Sequence, residues 1–439
     1  MSIFDYLFSR KSDSNQSVSV PIQFGRYIDD YKTKKQYDYW DKSLVHFEQN
    51  SFFKAIDCFF HYLKSPTSSV YHEQNNTSGE FAFYQGSKRV FGSYGTTSFR
   101  AVSLVASCPT STYDVAVLRK LLSYNYSLKY SRFSINQSNE LCIVFDCSLS
   151  ELSPFHLFYG LRELSLFADN VDDLLVQEFD CIDFIDNLHI TSYSDDILEA
   201  KVSFLKSSYK NLLDKLASVK SVKLDIEGGK SYLILSFVYD MDFLLSPQGF
   251  VKEKFEEIHR VFFGTQLSTV DKNTKSLSLL ADLFNSSEET LKHELYMGKF
   301  TFGQLDSIGT KDDMDQFITK ELGAFLWYKS NELTTISNVI PSYVIGYCSF
   351  NFGFSSLLRD LFFLYYRVNH PVYFESLGID KLDFSNKELI QSSINEVVSQ
   401  YKDVYKPLAL NFEILSYSSI DTFNHSLLLF IKQLDIVRI

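Results

Sequence analysis

The sequence predicts an α+β fold: a chaperone-like α-β-β-β-α-β-β-α domain with an antiparallel sheet, followed by a mainly α-helical C-terminal region. Three observations carry this. Short runs between Gly79 and Cys108 and between Lys129 and Cys147 place apolar residues at alternate positions, broken by turn residues. Stripes with apolar spacings of three and four flank those runs. From about residue 266 onward the spacing is helical. With 439 residues, 45% of them hydrophobic and 22% charged, the chain is long enough for two or three domains with well-formed cores.

Residues 1–39 read as a leader and linker. In MSIFDYLFSRK, Ile3, Phe4, Leu7 and Phe8 would share one face of a short helix, and KSDSNQSVSV after it is Ser-rich and polar. Apolar positions from Leu44 to Leu63 then form a helical stripe. A three-stranded meander follows: EFAFYQ, a turn at Gly86 and Ser87, KRVFGSYG, and SFRAVSLVASC. Asp114 is placed to cap a helix carrying Val117, Leu118, Leu121 and Leu122. Two strands, KYSRFSI and ELCIVFDC, are joined by the turn from Asn136 to Asn139. Ser153 then caps a helix with Pro154 at its first position, where a missing N–H costs nothing. Leu157, Leu161, Leu164, Ala168, Val171 and Leu175 define the buried side of that helix.

The segment RKLLSYNYSLKYSRFSINQSNELCIVFDCSLSELSPFHLFYGLRELSLFADNVDDLL resembles the superfamily of type III secretion chaperones and YbjN-like proteins. Members share the element order given above, with a strand ending in Arg-Phe, a polar turn, an apolar strand and an acidic helix ending in Asp-Asp-Leu-Leu. The resemblance covers residues 40–180 and implies a domain that binds other polypeptides or dimerises. This chain is much longer than the small secretion chaperones, so no secretion substrate carries over.

Residues 219–263 echo the end of that domain, with Leu245-Ser246-Pro247 matching Leu152-Ser153-Pro154. The echo predicts strand, turn, apolar strand and helix, making residues 190–265 a second α/β unit, and leaves open a true duplication. Residues 266–439 are expected to be mainly helical. Within them, the apolar stretch 339–368 is interrupted by Asn351, Gly353, Arg359 and Asp360, as suits a buried helix pair rather than a membrane segment. The tail reads as a strand and a closing helix or strand.

Composition narrows the function classes. A formal charge of -12 argues against nucleic acid. Six cysteines with no CxxC pair read as reduced thiols of a cytoplasmic protein. No run is long and apolar enough for stable membrane insertion. Neither a phosphate-binding glycine loop nor a GxSxG elbow occurs, and no two of the nine histidines are spaced for a helical zinc pair. The carboxylates at Asp312, Asp313 and Asp315 complement a helix N-terminus. No catalytic, cofactor-binding or metal residue is therefore assigned, and no cofactor is expected.

The strand ELCIVFDC is apolar on both faces. Leu141, Ile143, Phe145 and Cys147 point one way, and Cys142 and Val144 the other. The second face needs a cover: another unit of the chain, a second copy in a homodimer, or a peptide. The expectation is a non-enzymatic, chaperone-like binder of another protein or peptide. Its alternatives are a structural subunit of a larger assembly and an enzyme whose site is assembled from distant residues. Candidate interaction residues are the leader at Ile3, Phe4, Leu7 and Phe8, the aromatic hairpin at Phe81, Phe83, Tyr84 and Phe91, and the strand pair Cys142 and Val144.

Overall fold

The structure is a computed structural model that describes residues 22–28, 32–64, 69–109, 113–185, 190–220, 226–305 and 309–438. An α/β unit comes first. Helices α1 (Lys34–Glu48) and α2 (Phe52–Leu63) form a hairpin, broken at Asn50, whose φ of 57° no helix continues through. The stripe read from the sequence is thus two helices, with Thr33 and Gln36 forming a capping box at the start of the first.

Strands β1 (Tyr71–Gln74), β2 (Gly79–Gln85), β3 (Lys88–Tyr94) and β4 (Ser98–Ser107) follow. After α3 (Val115–Ser127) come β5 (Arg132–Ile135), β6 (Glu140–Ser148) and α4 (Pro154–Glu178). The sheet is antiparallel in the order β1-β2-β3-β4-β6-β5, with β7 (Asp183–Phe184) pairing on β4, which makes seven strands rather than the expected five. Both predicted caps are present: Asp114 accepts from the Ala116 N–H and Ser153 from the His156 N–H.

Register fixes which side chains meet α4. Phe81, Phe83, Val90, Phe99, Ala101, Ile143 and Phe145 share the inner face and pack against Leu157, Leu161, Leu164 and Ala168. Each buried Val, Leu, Ile or Phe among them contributes about 1.5–3 kcal/mol. Gly86, in the β2–β3 turn, has φ +54°, and a Cβ there would lie 1.7 Å from Asp169 Oδ1 on α4, so the position requires glycine twice over.

The remainder is helical. After β8 (Thr191–Ser192) come α5 (Asp195–Ser218), α6 (Glu227–Leu245), α7 (Gly249–Phe263), α8 (Thr269–Phe284) and α9 (Glu288–His293). Beyond β9 (Tyr296–Met297) lie α10 (Lys311–Ser330), α11 (Thr334–Ser337), α12 (Ile340–Asn351) and α13 (Ser356–Asn369). The chain closes with α14 (Pro371–Ser376), α15 (Lys387–Gln400) and α16 (Ile420–Lys432). The expected strand-turn-strand over 219–245 is corrected here: residues 227–245 are a helix, and every residue from Leu233 to Leu245 is buried. A helix apolar all round has no polar face to betray its period, and it forms the centre of the second core. Residues 339–368 do form the buried pair α12 and α13, whereas the tail forms α16 and no strand among the described residues.

The two units are joined by inserted side chains. Phe302 is fully buried in the first core, edge-on to Phe83 and Phe158. Gln85 clasps the same segment, accepting from the Thr301 and Phe302 N–H groups and donating to the Phe302 carbonyl. Arg26 pins residues 22–28 to the helices, donating to both oxygens of Asp242 and to Glu256 and lying 4.0 Å over the Phe350 ring.

Leu161 is fully buried at the centre of the inner face. Leu161→Asp is expected to destabilise the protein by about 3 kcal/mol or more, read as a lowered denaturation midpoint. An unchanged midpoint would place the helix face wrongly.

Candidate functional site

The outer face of the sheet carries the predicted strand pair. Val144 pairs with Val102 and Cys142 with Leu104, and Phe91 and Ala82 continue the same row. None of these side chains belongs to either hydrophobic core. Val144 and Cys142 are nevertheless 1% and 3% exposed. Long polar neighbours in the sheet itself seal them: Arg132 grips Asp146 through two hydrogen bonds of 2.7 and 2.9 Å, and Arg89 lies over the Phe91 ring at 5.2 Å. Burial pushes the Cys142 thiol pKa up, with Arg100 and Arg132 opposing. At one end the chain also covers this face, because Lys299 sits 5.0 Å over the Tyr84 ring and the Thr301 hydroxyl donates to the Tyr84 carbonyl.

The candidate hairpin is therefore split. Phe81 and Phe83 are fully buried in the inner core, where no partner can reach them, and Tyr84 is buried under Lys299. Phe91 alone of the four is only partly buried on the outer face. The leader residues Ile3, Phe4, Leu7 and Phe8 lie outside the described residues. On the β5 edge of the sheet, Asn125 on α3 accepts from the Phe133 N–H and donates to the Phe133 carbonyl, occupying groups a pairing strand would use there.

The feature that sequence reasoning missed is the outward face of α3. Val117 and Leu121 are buried against the sheet, and Tyr124 packs on Phe133 with ring centroids 5.7 Å apart. Leu118 and Leu122, carried on the same helix, face outward. With Val115 and Tyr126 they form a stripe spaced three, four and four, exposed by 67% (Val115), 36% (Leu118), 67% (Leu122) and 95% (Tyr126). The helix contains Arg119 and Lys120 and no acidic residue. The sequence held no local signal for this: adjacent positions about 100° apart can share one apolar face, so the pattern alone did not say which of each pair is buried.

Two buried ionisable side chains, His72 and Lys201, are engaged in structure. His72 is buried, with Nε2 2.8 Å from the Tyr94 hydroxyl and Nδ1 3.5 Å from Asp57, and burial drives its pKa down to about 3. Lys201 donates to the Leu245 carbonyl at the end of α6 and lies 4.2 Å over Tyr193, and burial lowers its pKa to about 7. A cavity of about 490 Å³ opens between residues 22–27 and α6 and α13, with Phe24, Phe243 and Phe363 among its walls. No histidine or cysteine lines it. Among the described residues no group of three or more His, Cys, Asp or Glu is arranged to hold a metal ion. Likewise, among them no helix is long and apolar enough to cross a membrane, and no disulfide is present. The chain matches no family model and no curated protein.

Because Val144 is sealed within its own sheet, Val144→Glu is expected to cost about 2–3 kcal/mol in the isolated protein. Thermal melts check this. An unchanged melting temperature would mean the outer face is open enough to accept a charge.

Proposed function

We propose that the chain is a non-enzymatic, chaperone-like protein that binds another polypeptide through the outward stripe of α3. The stripe itself carries the reading: four large apolar side chains in one row, on a helix whose opposite face already packs on the sheet. Isolated apolar side chains on a surface need no explanation, but an aligned second stripe does. Arg119 lies beside the stripe, whereas Lys120 is paired with Glu178 at 2.9 Å, so the apolar row itself is the recognition feature, suited to the apolar face of an amphipathic segment. The element order of residues 40–180 supports the same reading through its resemblance to type III secretion chaperones and YbjN-like proteins. A cytoplasmic setting and independence from cofactors belong to this proposal.

Photo-crosslinking tests it. With a photoreactive residue at Leu122 of the full chain in its native cell, a discrete polypeptide adduct is expected that a matching probe at exposed Lys210 on α5 does not give. Adding Val115→Asp should remove the adduct. Leu122→Glu with Tyr126→Asp should leave the melting temperature within about 1 °C, since the wild-type side chains are largely outside the core. Equal labelling at both probes would overturn the proposal, and an adduct with a second copy alone would make the surface a homodimer contact instead.

A further inference from the structure

Where the two units dock, four carboxylates are buried together. Asp169, Asp172 and Asp173 come from α4, and Glu294 follows α9. All four are at least nine-tenths buried. Asp169 accepts from the Ser87 N–H at 2.7 Å, and Asp172 accepts from Lys88 and from the Ser87 hydroxyl, both at 2.8 Å. Glu294 accepts from the Phe250 N–H at 2.9 Å. Two oxygens remain without a hydrogen-bond partner, Asp172 Oδ1 and Asp173 Oδ2. Gly249, with φ +51°, lets these groups crowd together: a Cβ there would lie 1.9 Å from Glu294 Oε2 and 2.7 Å from Asp173 Oδ2.

The surrounding charges do not balance this cluster. β3 contributes Lys88, and α7 contributes Lys252, which donates to Asn170 and acts on Asp169. Also from α7, Glu253 and Glu256 border the small gap beside Asp169, and Glu256 is bound to Arg26. His293 lies 3.4 Å from Glu294 with its ring more than half exposed, and β9 contributes the buried Tyr296. Four carboxylates against two buried lysines leave at least one charge that burial makes costly.

We propose that this cluster is a proton-binding latch: a proton held by Asp173 and Glu294 keeps the α/β unit docked on the helical unit, and its loss loosens the contact. This is independent of the α3 surface. A metal ion is not the expected ligand, because the carboxylates are not arranged as a metal group. Burial raises the pKa of Asp173, reinforced by Asp172 and Glu294. Burial also raises that of Glu294, against His293 and the Phe250 N–H, and lifts Asp169 to about 6 despite Lys252. Because the folded pKa values lie above the unfolded ones, the stabilisation is complete below the unfolded value of about 4 and is lost as pH rises through the folded values, about 6 in the case of Asp169.

Melting temperatures of the full chain from about pH 5 to about pH 8 test the latch, with amide protection at Ser87 and Phe250 as the local readout. In the wild type both are expected to fall as pH rises, after correction for intrinsic exchange. Asp173→Asn should remove most of that fall, and Glu294→Gln offers the same reading if the first variant does not fold. Asp240, buried in the helical core with its pKa raised to about 7, supplies the control Asp240→Asn. The proposal is overturned if both cluster variants keep the wild-type pH slope, if only Asp240→Asn flattens it, or if calcium or magnesium at neutral pH restores the protection seen in acid.

Discussion

The buried pair of Lys88 and Asp172 is the contact on which the rest of this structure depends. Both side chains have no solvent exposure, and 2.8 Å separates them. The lysine also donates to the Val105 and Ile185 carbonyls, so one ammonium ties β3 to β4, to the chain beyond β7 and to α4. A buried ion pair contributes little net stability over an apolar pair of the same shape, but breaking one is expensive. Its value here is positional. It fixes α4 along the sheet, and α4 in turn presents Asp169 and Asp173 to the helical unit.

From that fixed point the docking follows. The Gly86 turn admits Asp169, Gln85 clasps residues 301–302, and Phe302 enters a core formed by the other unit. Arg26 ties residues 22–28 to α6 and α7 through Asp242 and Glu256. Much of the polar chemistry the sequence advertises is therefore spent holding two units together. Among the described residues, the outward stripe of α3 is the longest aligned row of exposed apolar side chains on one helix.

The first unit was largely legible because its signals are local and agree with one another. Ser153 and Pro154 announce a helix whose stripe keeps its period for five turns, and the strands alternate between glycine-marked turns. The α/β reading of residues 190–265 failed because α6 lies at the centre of a core. SYLILSFVYDMDFLL needs no polar side, and its β-branched and aromatic content mimics a strand; only its length favoured a helix. The aromatic hairpin failed for a simpler reason. Phe81 and Phe83 alternate with Ala82 and Tyr84, so they could never have shared one surface, and the face that packs on α4 claimed them. Contacts between Gly249, Asp173 and Glu294 span too much sequence for any local pattern to reveal.

The buried charges at the unit boundary hold the two units together, apart from the binding surface proposed on α3. A double-mutant cycle on the full chain tests this most directly, using Lys88→Met, Asp172→Leu and the two combined. Each single change is expected to cost about 3–5 kcal/mol by stranding a buried charge, and the combination to cost far less than the sum. If Lys88→Met folds with an unchanged denaturation midpoint, the pair is not the joint described here, and its buried charges would be free for a catalytic or ligand-binding role.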